Sequence, residues 1–285
     1  MSHLQKSSFE MFRQPMSFIT KGGSRRLHFA MAAAIVAAAV PCNPLIADIV
    51  HFVDSDMTYL NQEAPNNNYG YDPAVAATHN MEVGARSGYL RKGLIRFDVT
   101  SLAGQENLVE NITLTLYARD NSLSNVLDMT LGLFAVSDAN SAWTEEGASW
   151  NNLYRHSPTV SWAGSAGAHT PGVDYSQTLL ATAVDHHNSS NPEALVFDLT
   201  GIKDSLFIDW INGDNNGLMI MNIDPVTHEP VTAWTRSRIV TSHDAGSAAY
   251  HPDLAVTLIP EPGSIALLGL GTTMLLLRRR RALEA

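Results

Sequence analysis

The sequence predicts an all-β body, a jelly-roll-like β-sandwich with one short helix, set between an N-terminal signal helix and a C-terminal membrane helix. Three observations carry this. Several runs alternate apolar and polar residues with period two, which places one set of side chains on a core face. The stretches between them are rich in Asn, Gly, Asp and Pro, the residues of tight turns. Both ends of the chain are apolar and basic, whereas the middle is acidic.

The amino end comes first. Residues 1–47 contain Lys6, Arg13, Lys21, Arg25 and Arg26 against one acid, Glu10. Arg25 and Arg26 precede an apolar run from Leu27 to Val40, and Leu45-Ile46-Ala47 offers a small-residue cleavage site before Asp48. That order is the layout of a secretory signal peptide. Cys42, the one cysteine of the chain, lies before the expected cut. Pro41 stands where a lipoprotein signal needs a small residue, and the processed chain has no thiol for a disulfide or for cysteine catalysis.

The body, residues 48–259, is the size of one sandwich domain. Ile95, Phe97 and Val99 alternate with Arg96 and Asp98, and Ile112, Leu114 and Leu116 alternate with Thr113, Thr115 and Tyr117. Similar runs occupy 129–136, 194–199, 218–223 and 254–259. Connections such as Asn66-Asn67-Asn68-Tyr69-Gly70 and Asn212-Gly213-Asp214-Asn215-Asn216-Gly217 separate them, and many short strands with such loops favour a sandwich or jelly roll. One segment breaks the period: Ile202, Leu206, Phe207 and Trp210 follow helical spacing, with Thr200 as N-cap and Gly213 as the stop. No repeat of solenoid period and no interdomain linker divides the body.

Residues 48–262 carry 9 basic and 26 acidic side chains, a net charge of -17. A field of that sign repels nucleic acid and anionic membrane surfaces and attracts divalent cations.

The carboxyl end, residues 260–285, opens with Pro260-Glu261-Pro262, continues through an uncharged run from Gly263 to Leu277 and closes on Arg278, Arg279, Arg280 and Arg281. Fifteen helical residues span roughly 22 Å, short of the ~30 Å hydrocarbon core of a bilayer. The arginine block stays on the cytoplasmic side, and its long stems snorkel to cover the mismatch. Two prolines hold Glu261 in an extended segment that a processing enzyme can grip. Motif, helix and basic tail together resemble the PEP-CTERM sorting signal. That resemblance implies recognition by an exosortase, transient anchoring in the inner membrane, and a final place at the cell surface or in the extracellular matrix. An ordinary, uncut tail anchor is the competing reading.

The body resembles a DNRLRE-type domain, a family grouped with the carbohydrate-binding modules of secreted polysaccharide-active proteins. The matching residues are Asp54-Ser55-Asp56-Met57-Thr58-Tyr59-Leu60, Asn66-Asn67-Asn68-Tyr69-Gly70 and Leu94-Ile95-Arg96-Phe97-Asp98-Val99. They continue with Trp143-Thr144-Glu145-Glu146-Gly147-Ala148-Ser149-Trp150-Asn151-Asn152, Trp210-Ile211-Asn212-Gly213 with Asn216-Gly217, Thr235-Arg236-Ser237 and His251-Pro252-Asp253-Leu254. The Trp-Thr-Glu…Trp-Asn block is the most specific of these. The resemblance implies a β-jelly roll with a surface role; the expectation built on it is a body that binds polysaccharide or serves as a component of an exopolysaccharide matrix. Two departures stand out: Arg236-Ser237-Arg238 lacks the expected Glu, and residues 154–193 have no counterpart.

Sugar-binding surfaces stack pyranose faces on exposed rings and hydrogen-bond the hydroxyls with Asn, Asp and Arg. Tyr69, Tyr71, Tyr154 and Trp162, in polar or Gly-rich surroundings, are the candidate ligand residues, whereas Trp143, Trp150 and Trp210 read as packing residues. Asp54, Asp56 and Asp253 meet if the first and last strands pair. They are then either ligands of a structural calcium ion or solvated turn carboxylates. Adjacent His186 and His187 point to opposite faces and do not suit zinc, so no cofactor beyond that calcium is expected.

Catalysis finds little support. Ala163 replaces the first glycine of a nucleophile elbow at Ser165. Glu145, beside Trp143, reads better as an acceptor for backbone amides than as a general acid. The function expected is that of a non-enzymatic surface or matrix protein. A polysaccharide lyase or hydrolase on the same sandwich, or a protein-binding adhesin, is the alternative. A lyase needs a cluster of cations with Tyr and His, which nine basic residues over the whole body hardly supply.

Overall fold

Alternation places the inner strands. Along β5 (Val109–Asp120) the side chains of Ile112, Leu114, Leu116 and Ala118 are buried, while Thr113, Thr115 and Tyr117 between them are half-exposed. In β10 (Glu193–Asp198) and β13 (Asp253–Leu258) the inward residues are Leu195 and Phe197, and Leu254, Val256 and Leu258. These strands flank β5, antiparallel to it, and β1 (Asp48–Phe52) adds to the free side of β13 with Phe52 opposite Leu254. The result is one layer in the order β1-β13-β5-β10.

The computed structural model describes residues 47–70, 80–86, 88–120, 128–186, 192–231, 237–241 and 247–259. Its second layer runs β2-β4-β11-β6-β9, all antiparallel. The strands are β2 (Ser55–Asn61), β4 (Tyr89–Phe97), β6 (Met129–Val136), β9 (Tyr175–Asp185) and β11 (Leu218–Ile223). Two further strands, β3 (Met81–Arg86) and β12 (Ser237–Val240), carry the hydrogen bonding from β4 round to β5 and join the layers along one side. Met57, Ile95, Phe97, Leu131, Leu133, Leu218 and Ile220 of the second layer meet Ile112, Leu114, Leu116, Phe197 and Val256 of the first in the main core. Each such side chain stabilises the fold by about 1.5–3 kcal/mol through burial. The expected jelly-roll-like β-sandwich is what forms, with one α-helix among the described residues.

A second core lies on the outer face of the β2-β4-β11-β6-β9 layer. Leu60, Leu94, Phe134, Met219, Met221 and Ile223 pack there against Trp143, Trp150, Leu153, Trp162 and Tyr175. Those covering residues belong to the long connection between β6 and β9, which holds the small hairpin of β7 (Asn152–Tyr154) and β8 (Val160–Ser161), and to the first residue of β9. With both faces covered, all six residues of β11 are buried, so the half-exposed strand expected over 218–223 is an interior one.

Two strand ends repeat one device. Phe97-Asp98-Val99-Thr100 closes β4 and Phe197-Asp198-Leu199-Thr200 closes β10, each running into a 3-10 turn, Thr100–Leu102 and Thr200–Ile202. In both, the aspartate accepts the threonine N–H two residues on, at 3.0 and 2.9 Å. Thr200 is therefore a turn residue and not the N-cap of the helix. Its hydroxyl also accepts the N–H of Ile112, and α1 (Leu206–Ile211) starts six residues later, after Ser205. The helix buries Phe207 and Trp210 as its spacing predicts and ends before Gly213, whose φ of 99° suits the stop. The predicted signal segment, the sorting motif Pro260-Glu261-Pro262, the membrane run and Arg278–Arg281 lie outside the described residues. Among those described, no helix is long and apolar enough to cross a membrane.

Candidate functional site

A cleft opens at one end of the sandwich, where β2 begins and β4 ends. It consists of two adjoining hollows of about 570 and 1240 Å³ that share Arg96, Trp210, Gly213 and Asn215. Strand alternation supplies Arg96: with Ile95 and Phe97 turned into the main core, the residue between them faces the other way. Its Nε and Nη2 donate to Asp56 Oδ2 at 3.0 and 2.5 Å, and its guanidinium lies 4.7 Å from the Trp143 ring centroid. Trp143, fully buried, donates from Nε1 to the Asn216 carbonyl at 2.7 Å. Asn215 donates to the Phe97 carbonyl at 2.7 Å and accepts the Gly217 N–H, so the loop after α1 is pinned to the end of β4.

The opposite wall comes from β2. Asp54, Ser55 and Asp56 line the smaller hollow with Asp98 and Glu145. Hydrogen bonds from the Thr100 hydroxyl and N–H hold the Asp98 carboxyl below its ordinary range. Glu145 Oε1 accepts the Met57 N–H at 3.1 Å, so the glutamate does satisfy a backbone amide, of a strand and not of its own loop. Asn68 ties the same loop down by donating to the carbonyls of Glu145 and Ala148. Asp138, Asp209 and Asp214 border the larger hollow together with Ser141, Ser176 and Thr178. The arrangement offers hydroxyls, amides and carboxylates held by strand ends, the donor and acceptor set that polyhydroxylated ligands use.

The other candidates are scattered. β1 pairs with β13, as the meeting of Asp54, Asp56 and Asp253 requires, yet the three do not share a centre. Asp56 is turned to Arg96, and Asp253 accepts from the His51 ring at 3.0 Å. Among the described residues no group of three or more His, Cys, Asp or Glu is arranged to hold a metal ion. Tyr69 is half-buried, stacked on Tyr59 at 4.3 Å, and its hydroxyl accepts from Asn61. Tyr154 is half-exposed with His156 edge-on at 5.3 Å, beside a hollow of about 370 Å³ bordered by Asn66, Asn152, Arg155 and His156. Trp162 is not a surface ring. It is 5 % exposed in the second core and donates to the Ser149 carbonyl at 2.9 Å. Trp143, Trp150 and Trp210 are packing residues, as expected. Tyr71 lies outside the described residues.

Under the covering connection lies a buried polar knot. Lys92 donates to the carbonyls of Gly167 and Ala168, both at 3.0 Å, and stands 3.1 Å from His169 Nδ1. Burial pulls its pKa down to about 7, against the pull of Asp174 in the other direction. Burial would raise Asp174 itself, but hydrogen bonds from Thr170, Asn140, Gly164 and Ser165 outweigh this and hold it below the usual carboxylate range.

The segment that builds most of this end is similar to a known family. Residues 49–176 match the model of carbohydrate-binding module family 96. No curated protein matches the chain. The matched segment runs from β1 to the first residues of β9 and includes Asp54, Asp56, Arg96, Trp143 and Glu145, so it supports a carbohydrate-binding, β-rich body. Trp210 and Asn215, which complete the cleft, lie beyond it. Sequence reasoning named Asp54 and Asp56 but passed over Arg96. The signal for it was its place as the single cation between two inward apolar residues.

Proposed function

We propose that this chain is an exported, non-enzymatic protein that holds polysaccharide in the end cleft and serves at the cell surface or in the surrounding matrix. The observation that carries the reading is the coincidence of two things. The cleft is lined by strand-anchored hydroxyl, amide and carboxylate groups, and its β2, Arg96 and Glu145 walls fall within the segment similar to a carbohydrate-binding module. Catalysis is not part of the proposal: Glu145, two residues from Trp143 in the chain, is bonded to a strand amide, and among the described residues Arg96 is the single cation bordering the cleft.

Delivery belongs to the same reading. The secretory signal ends near Ala47, and an exosortase cuts at or near Pro260-Glu261-Pro262 while Arg278–Arg281 remain on the cytoplasmic side. Two measurements test the proposal. Affinity electrophoresis of the protein through gels carrying neutral, acidic and amino glycans should show retardation on at least one, reduced in Arg96→Ala; migration unchanged on all of them sinks the binding part. Mass spectrometry of the surface fraction should recover a product without its arginine tail; an intact carboxyl terminus there sinks the sorting part.

A further inference from the structure

One sheet edge is left open. β1 ends the first layer at one margin and hydrogen-bonds only to β13, so its other side has no strand partner among the described residues. At the opposite margin β10 and β9, the last strands of the two layers, lie against each other, and the register of β9 on β6 shifts twice. The outer edge of β2 is occupied in part by Glu145. β1 has no such guard. Its run Ile49-Val50-His51-Phe52-Val53 contains no lysine, proline or carboxylate, the residues that keep an edge strand single.

Packing at this margin is incomplete as well. Val50 and Phe52 turn toward the main core yet are only partly buried, unlike Leu254 and Val256 on the neighbouring strand, which are fully covered. Ile49 is 53 % exposed and Val53 46 %. Charge decides what can come here. The body is strongly acidic, so two copies repel wherever their carboxylates meet, whereas five residues in a row without a carboxylate let them approach.

We propose that β1 is a self-association edge, on which two copies pair β1 against β1, antiparallel, and join their first layers into one continuous sheet. Residues opposite each other must lie on the same face, which restricts the register. A two-fold axis at Val50 uses the whole strand and sets Val50 against Val50, Ile49 against His51 and Asp48 against Phe52. An axis at His51 would set Asp48 against Asp54, two like charges. The same edge is used by both copies, so association closes at a dimer. Five residues span about 17 Å, a contact at the small, reversible end of the range for protein pairs.

The test is cross-linking of the full-length chain in mild detergent, with Cys42→Ser removing the native thiol. In that background Val50→Cys places two thiols across the axis with Cβ atoms about 4.5–5.5 Å apart, within reach of a short bis-maleimide. Covalent dimer should form from Val50→Cys, and severalfold less from Val226→Cys, an exposed turn position. Adding Ile49→Lys to Val50→Cys should reduce the product roughly tenfold, because a lysine on the edge blocks pairing. The melting temperature should not change, since Ile49 already stands in solvent. Equal products from Val50→Cys and Val226→Cys overturn the proposal, as contact is then made by collision or through the apolar chain ends. Product that Ile49→Lys leaves undiminished in normally melting protein overturns it too. A chain that sediments as a monomer at every concentration does the same and leaves β1 to another occupant.

Discussion

Glu145 accepts the backbone N–H of Met57 at 3.1 Å, a contact between residues 88 positions apart that ties the Trp-Thr-Glu loop to the edge of β2. Of the strands described here, β2 is paired with β4 alone, so its other edge is completed by a side chain. Asp54 and Asp56, at the start of that strand, are therefore only as well placed as Glu145 holds them.

Replacing Glu145 with Ala should lower stability by about 1–3 kcal/mol, since a strand amide loses its acceptor. Glu145→Gln, which keeps an acceptor oxygen, should lose clearly less. Urea unfolding of the two variants checks the order. If the Gln variant were as unstable as the Ala variant, the charge and not the hydrogen bond would be the important part of the contact.

Trp143 joins the two sides of the cleft, with Arg96 over its ring and the Asn216 carbonyl on its indole nitrogen. Trp143→Phe keeps a ring beneath Arg96 but removes the hydrogen bond and part of a fully buried ring, which should cost about 2–3 kcal/mol. Trp143→Ala empties a fully buried site and should cost about 3–5 kcal/mol. Arg96→Lys should fold well yet bind glycan more weakly, because an ammonium cannot repeat both the two-nitrogen contact to Asp56 and the stacking. Denaturation midpoints together with gel retardation separate these three outcomes.

Two glycines of one loop allow an internal comparison. Gly213 and Gly217 both have positive φ, 99° and 84°, but a Cβ at Gly213 meets open space, whereas one at Gly217 would stand 2.8 Å from the Ile95 carbonyl oxygen. Gly213→Ala should cost only the left-handed backbone penalty, about 1–2 kcal/mol. Gly217→Ala adds a clash with strand backbone and should cost more, with a loss of cleft affinity. Thermal melts of both variants read the difference, and equal losses would mean that the loop shifts freely.

What could be read in advance follows the same physics. A strand with one wet face announces itself, which is why Ile112, Leu114 and Leu116 gave away β5 without help. β9 was not among the alternating runs, because Leu179, Leu180 and Ala181 are only partly buried and its pattern is blurred. Trp162 was misread for a related reason. Its Gly-rich neighbourhood suggests exposure, but a Cβ at Gly164 would lie 2.6 Å from Asp174 Oδ2, and one at Gly167 would lie 2.5 Å from the Trp150 ring. Those glycines are there for close approach in a second core, which depends on contacts more distant than any local period can show. The cleft was half legible: Asp54 and Asp56 stood out as carboxylates, while the role of Arg96 depends on a loop more than a hundred residues further along.

Acid should loosen the covering connection through Lys92. Its ammonium has an acceptor for each of three hydrogens, two carbonyls and His169 Nδ1, and the last accepts only while His169 is neutral. Burial and the neighbouring Lys92 lower the His169 pKa, and burial lowers that of Lys92 to about 7. A group with a depressed basic pKa binds fewer protons folded than unfolded, so stability must rise with pH between the two values. For Lys92 the window runs from about 7 to the ordinary 10.5, and for His169 it lies below the ordinary 6.5, so both act in the same direction. The wild-type melting temperature should therefore climb from mildly acidic to mildly alkaline pH. Lys92→Met fills the site without a titrating group and should flatten the climb, by at most about 1.4 kcal/mol per pH unit within the lysine window. His169→Gln should remove only the portion below neutrality, and an unchanged slope in both variants would place the pH dependence elsewhere in the body.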